Sequence, residues 1–263
     1  MKSLFSKIYL FAATVLLVFG CTAEAGLSDA GISETGVGGS YARFMIVGDF
    51  MYVVDNQNIQ TFSLADPVSP ALTDSQLIGE RIESIFSLGN RLFIGSGTGL
   101  YIYTIGNDGI PERTSEFSYD VFPIRPCDPV VATDSFAYVT LNTTTGFSPC
   151  GGFQDVQLNQ LTIFDVTNIE DPVLIAEHPM VHPKGVGIDG KTLFLCDDEA
   201  GLKIFDVTNP LELQAIAEFP QFTAFDVIPL DGLLLMVGPD NVYQFDYTDL
   251  MDVKLISKIP IQP

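Results

Sequence analysis

Gly185 to Phe219 reads GVGIDGKTLFLCDDEAGLKIFDVTNPLELQAIAEF. It divides into four short strands and three turns. Gly185-Val186-Gly187-Ile188 is short and apolar. Asp189-Gly190 is a hairpin signal, because glycine reaches positive φ without steric cost. Thr192 to Cys196 is a β-branched, aromatic and aliphatic run of strand length. Asp197 to Gly201 is a turn. Leu202 to Val207 alternates apolar and polar residues, the period of a half-buried strand. Thr208-Asn209-Pro210 stops it, since proline cannot donate to a ladder. Leu213 to Phe219 alternates again. A twisted four-stranded sheet of this kind exposes two apolar faces, so it must stack on copies of itself.

The copies are present. The second-strand landmark is Tyr52, Phe93, Tyr138, Phe194 and then Leu235, in steps of 41, 45, 56 and 41 residues. The third-strand landmark is Phe62, Tyr103, Phe164, Phe205 and Phe245, in steps of 41, 61, 41 and 40. One period runs through both series and breaks only in the third copy, whose middle turn carries an insertion of roughly 15 residues around Asn142 to Val156. Four strands in ~40–45 residues suit a propeller blade. The prediction is an all-β, five-bladed β-propeller with blades at 40–80, 81–121, 122–181, 182–222 and 223–263. An open superhelix is the lesser option, because no terminal unit looks like a polar cap. The first blade opens with an inner strand (Ala42 to Val47) and the last closes with an outer one (Leu255 to Ile261). Closure is therefore expected from packing of the first blade on the last, helped by residues 30–40.

The N-terminus reads as an export signal. Lys2 and Lys7 precede an apolar run from Ile8 to Gly20. Its length suits a signal-peptide core and is too short to span a bilayer. With Gly20 before Cys21, the segment resembles a bacterial lipoprotein signal. That resemblance implies diacylation of the Cys21 sulfur, cleavage of residues 1–20, and sorting to the outer membrane because Thr22 is not aspartate. Ordinary secretion with cleavage nearby is the alternative. Two or three acyl chains anchor stably where one does not. Residues 21–39 are small, polar and glycine-rich, and read as a flexible tether.

The chain carries 12 Lys+Arg against 33 Asp+Glu, a net charge of −21. Loss of the signal, with its two lysines, leaves 10 minus 33, or −23. This argues against nucleic acid, whose phosphates are held by Lys and Arg clusters. It permits cations and basic proteins, and it also serves simply as a soluble, repulsive surface. A monomer is expected.

Three further cysteines remain. Cys127 and Cys150 lie in turn-rich segments of the third unit. In an oxidising compartment they are expected to form a disulfide, worth ~3 kcal/mol in the chain-entropy model. Cys196 ends an apolar strand and reads as core.

Candidate chemistry is sparse. His178 and His182 have helical spacing for a metal, but Pro179 and Pro183 argue against a helix, so they read as turn residues between blades. Acidic turns recur at Asp55, at Asp197-Asp198-Glu199 and at Asp240. Turn chemistry explains them, and a Ca²⁺ site is the alternative. Asp165, Asp206 and Asp246 follow the third-strand aromatics, with Ser63 and Thr104 in the same place in the first two units. They are predicted to bond turn amides. Gly95 to Gly99 sits in a tight hairpin with no helix behind it to hold phosphate. No catalytic residue, cofactor or metal ligand is predicted.

Leu161 to Asn168 (LTIFDVTN) and Leu202 to Pro210 (LKIFDVTNP), each followed by a Leu/Val/Ile-rich strand, resemble the LVIVD repeat family. The likeness is sharp in units three and four and recognisable at Thr61 to Pro67. It implies a β-propeller exported by bacteria and names no site. The function expected is a non-catalytic binding or scaffold module for a protein or glycan partner at the cell envelope. The alternative is a propeller-type glycosidase or lyase with two carboxylates facing each other in the channel, for which Asp128 and Asp226 lie near first strands.

Overall fold

The structure is a computed structural model that describes residues 38–119, 129–143, 146–148, 152–154 and 157–261. It is all-β, with five antiparallel four-stranded sheets in sequence order and no α-helix among the described residues. The first sheet comprises β1 (Phe44–Val47), β2 (Phe50–Val54), β3 (Asn58–Ser63) and β4 (Ala71–Leu77). The second comprises β5 (Ile82–Leu88), β6 (Arg91–Ser96), β7 (Gly99–Ile105) and β8 (Pro111–Ser118). The third is built from β9 (Val130–Ala132), β10 (Phe136–Asn142), β13 (Asn159–Asp165) and β14 (Val173–Pro179). Between β10 and β13 the insertion forms its own hairpin, β11 (Gly146–Ser148) with β12 (Gly152–Gln154). The fourth contains β15 (Val186–Asp189), β16 (Thr192–Cys196), β17 (Leu202–Asp206) and β18 (Gln214–Phe219). The fifth contains β19 (Asp226–Leu230), β20 (Leu233–Val237), β21 (Asn241–Asp246) and β22 (Lys254–Pro260). This is the five-bladed propeller-like array that the aromatic period predicts. Each sheet takes all its strands from one stretch of chain.

Burial follows the stacking. In the three middle sheets the second strands are buried residue after residue, as in Leu193 to Cys196. A strand buried on both faces loses the alternation of a one-sided strand. In the first and fifth sheets the second strands alternate buried and half-buried. One face of each end sheet is fully covered and the other is not.

The covered faces meet by one rule. Tyr52 of the first sheet and Tyr103 of the second share a hydrophobic cluster. So do Phe93 with Phe164, Tyr138 with Phe205, and Phe194 with Phe245. Every inter-sheet core thus combines a second-strand landmark with the third-strand landmark of the next unit. All eight of these rings are buried. The two landmarks left over, Phe62 and Leu235, are only half-buried.

This changes the expected closure. Among the described residues no hydrophobic cluster joins the fifth sheet to the first. The link is polar and comes from the segment just before β1. Ser40 Oγ donates to Asp226 Oδ1 at 3.0 Å and accepts from the Val186 amide at 2.8 Å. A Cβ on Gly39 would lie 2.1 Å from Asp226 Oδ2, so only glycine fits there. Residues 38–39, expected to be tether, are instead built into the sheet array with Ser40, within the segment 30–40 expected to help closure.

Each third strand also carries a register shift directly before its aromatic landmark. The unmatched residues on the outer strands are Thr73, Thr114, Ile175, Ile216 and Ile256, all β-branched. Such a bulge bends its strand and increases the local right-handed twist.

Candidate functional site

The densest ionic constellation gathers where the fourth blade begins. β16 ends at Cys196, and the chain turns through Asp197 to Gly201. Asp198 takes φ +47°, a left-handed conformation that aspartate tolerates better than most residues. Its carbonyl accepts the Ala224 amide at 3.0 Å, stitching this tip to the approach to the fifth sheet. Asp197 is fully buried. Its carboxylate accepts the amides of Val181 (3.1 Å) and His182 (2.6 Å) and the Lys203 ammonium (2.5 Å). Asp198 Oδ2 meets His182 Nδ1 at 2.9 Å and Lys184 Nζ at 3.0 Å. Lys184 in turn lies 4.1 Å from the Phe225 ring centroid.

The acidic turn is therefore more than turn chemistry. It fastens the linker between the third and fourth blades, a role that neither the turn reading nor the Ca²⁺ alternative anticipated. His182 lies in that linker, as predicted for a residue between blades. His178 does not: it lies on β14, its Nε2 3.1 Å from the Pro210 carbonyl oxygen. The two imidazoles bind different partners. Cys196 is fully enclosed, and burial pushes its thiol well above the ordinary range. It is core, as expected, with its nucleophilic form suppressed.

The recurrent aspartates follow the turn reading. Asp165, Asp206 and Asp246 each accept the amide of the threonine two residues on, at 2.9, 2.7 and 2.9 Å. Hydrogen bonds from those threonines hold all three carboxyls below the usual range. Ser63 does the same for Ala65 at 3.3 Å. Thr104 instead bonds the Thr114 hydroxyl at 2.7 Å. Asp55 caps its turn through the amides of Gln57 and Asn58. Gly97 and Thr98 form the tight hairpin expected between β6 and β7.

Asp226 opens β19. Burial pushes its carboxyl up to about 6, against hydrogen bonds from Ser40, Val227 and Tyr41. Gly185 also crowds it, since a Cβ there would lie 2.2 Å from Oδ1. The carboxylate is thus engaged by the polar clasp. Cys21, Cys127, Asp128 and Cys150 lie outside the described residues.

A cleft of about 310 Å³ opens on the second blade. Glu80, Thr98, Tyr101, Glu116 and Phe117 line it. Arg113 braces its wall: Nη1 pairs with Glu116 at 2.7 Å, Nε meets the Tyr103 hydroxyl at 3.2 Å, and the guanidinium lies 5.0 Å from the Tyr101 ring centroid. Glu80 is exposed, and its carbonyl accepts Ser96 Oγ at 2.7 Å. Arg113 thus already holds Glu116 and lies against the Tyr101 ring, which leaves exposed Glu80 as the lining acid open to an incoming cationic group. Sequence reading missed this cleft, because its members come from three separate strands and turns.

No protein-family model matches this chain, and no curated protein matches it in sequence. Solved structures match in fold. A Lactobacillus plantarum protein superposes with a TM-score of 0.63 at 14% identity, over 81% of this chain and 69% of that one. A functionally unknown protein from Desulfotomaculum acetoxidans gives 0.57 at 15%, over 80% and 68%. The computationally designed Ika8 protein gives 0.57 at 8%, over 82% and 60%. The chain thus spans 60 to 69% of the length of these neighbours. At such identities the likeness is one of fold alone.

Proposed function

We propose that this chain is an exported, lipid-anchored propeller of LVIVD type that serves as a non-catalytic binding module at the bacterial cell envelope. Cys21 carries the lipid, and the outer membrane is its address. Its partner is a protein or glycan that presents a cationic group to the blade rim. The observation that supports this reading is the braced cleft with Glu80, Tyr101, Glu116 and Phe117 on its walls. The net charge of −21 favours the same class of partner. A hydrolase reading would draw on Asp226, whose carboxylate the N-terminal clasp already engages.

Two measurements test this. Palmitate labelling of cells should mark the wild-type protein and fail with Cys21→Ser. A photoreactive residue at position 118, beside the cleft, should crosslink to an envelope component in intact cells. The adduct should weaken at least fivefold in the Glu80→Gln, Glu116→Gln double variant. No adduct at all, or one indifferent to both substitutions, would overturn the binding reading.

A further inference from the structure

The residues just ahead of the first sheet bond three other sheets at once. The first strands stand in order around the axis: β1 beside β5, β5 beside β9, β9 beside β15 and β15 beside β19. The Ala42 carbonyl accepts the Ile85 amide of β5 at 2.9 Å. Ser40 Oγ accepts the Val186 amide of β15 at 2.8 Å and donates to Asp226 of β19 at 3.0 Å. The Asp226 carboxylate also accepts the backbone amides of Ser40 and Tyr41. Two residues of chain span at most about 7 Å. Ser40 and Ala42 nevertheless reach β15 and β5, which β9 of the third sheet separates in the order. Residues 38–41 therefore lie across the space that the first strands surround.

We propose that residues 38–41 are a detachable strap, which docks across the axis on Asp226 and swings out about Ala42 while the five sheets stay folded. Its hold is polar. None of the four residues belongs to any of the four hydrophobic cores, and apolar anchoring begins at Ala42, which packs on the first of them with Met45. A segment fastened by a few hydrogen bonds and little apolar area opens locally, far below the free energy of global unfolding. Docking also helps to bury a carboxylate, a cost that undocking relieves. The ionisable side chains around Asp226 are the Cys196 thiol of β16, which burial keeps neutral, Lys184 and Asp197, which act on that same thiol, and Tyr41 on the strap itself. Burial and hydrogen bonds set the proton affinity of Asp226. Release into water favours its anion, so docking weakens as pH rises through about 6. Undocked, the strap leaves open the Asp226 carboxylate and the Val186 amide, the acceptor and the donor that the Ser40 hydroxyl now satisfies. The device is independent of what binds the cleft.

Hydrogen exchange of the full-length protein, read amide by amide and corrected for intrinsic rates, tests this. In the wild type the amides of Ser40, Tyr41 and Val186 should exchange at least a hundredfold faster than that of Phe194 within β16. Their protection should fall about tenfold between pH 5 and pH 7, and in Asp226→Asn that fall should vanish. Gly39→Val places a branched side chain where Asp226 stands, so it should strip protection from Val186 and leave Phe194 as it was. Equal protection of Val186 and Phe194 in the wild type would overturn the proposal without recourse to any variant. So would a Val186 amide that stays protected in a folded Gly39→Val protein. A wild-type profile flat between pH 5 and pH 7, or a fall that survives Asp226→Asn, would overturn the part given to Asp226.

Discussion

Asp226 has two opposing environments in one side chain. Burial favours its neutral form, while the hydroxyl and amides around it favour the anion, and burial wins. Its folded value of about 6 lies above the unfolded value near 3.8. The native state therefore holds the proton between those limits. Stability from this group falls as pH rises from about 4 to about 6, by roughly 3 kcal/mol in all. Urea midpoints at pH 4 and pH 7 should show a smaller difference for Asp226→Asn than for the wild type. Asp165, Asp206 and Asp246 act with the opposite sign. Their depressed values make their contribution present above the ordinary carboxyl range and lost as pH falls below it. Carboxyl NMR titration should find all three below the aspartate of an unstructured peptide. Asp197 is costly to change, because it is fully buried and already paired. Truncation to Ala strands Lys203 and two amides, with an expected loss of about 3–5 kcal/mol in urea unfolding. These roles were legible to different degrees. The three aspartates recur with the blade period, so their turn chemistry could be read from the string. Asp197 sits in an acidic turn like others, and only the path of the linker tells it apart.

At the scale of strands, position in the stack decides the worth of a ring. Phe194 is enclosed between two sheets, so Phe194→Ala should cost about 3–5 kcal/mol in equilibrium unfolding. Phe62 holds the other landmark position but lies on a half-open face, and Phe62→Ala should cost under about 2 kcal/mol. Equal losses would contradict the uncovered face. The strand assignments were legible because apolar runs of strand length, punctuated by Asp-Gly and Asn-Pro, leave little choice of element. The bulges were not. Each displaces one residue in an outer strand whose alternation is weak, so periodicity passes over it. A signal exists in retrospect: a β-branched residue stands eleven places after every third-strand aromatic, from Phe62 to Thr73 through Phe245 to Ile256.

For the whole molecule, the aromatic period specified how many sheets form and which neighbours touch. It could not specify how the first and last units relate. That depends on how the twist of each unit adds up over four interfaces, which periodicity alone does not report. The clasp was half legible: residues 30–40 were expected to help join the first blade to the last, but Gly38-Gly39-Ser40 does not name its partner, Asp226, which lies 186 residues from Ser40. The cleft, assembled from two strands and two turns of the second blade, was invisible for the same reason.

The recurring bulge has a consequence for how such arrays grow. Since every unit carries its own device for coiling, its curl does not depend on a neighbour or on a completed circle. A gene that duplicates one unit adds a part already bent to fit, and one that loses a unit leaves the others shaped as before. Blade number can then drift freely across generations, with the end faces, rather than the interior, bearing the cost of each change.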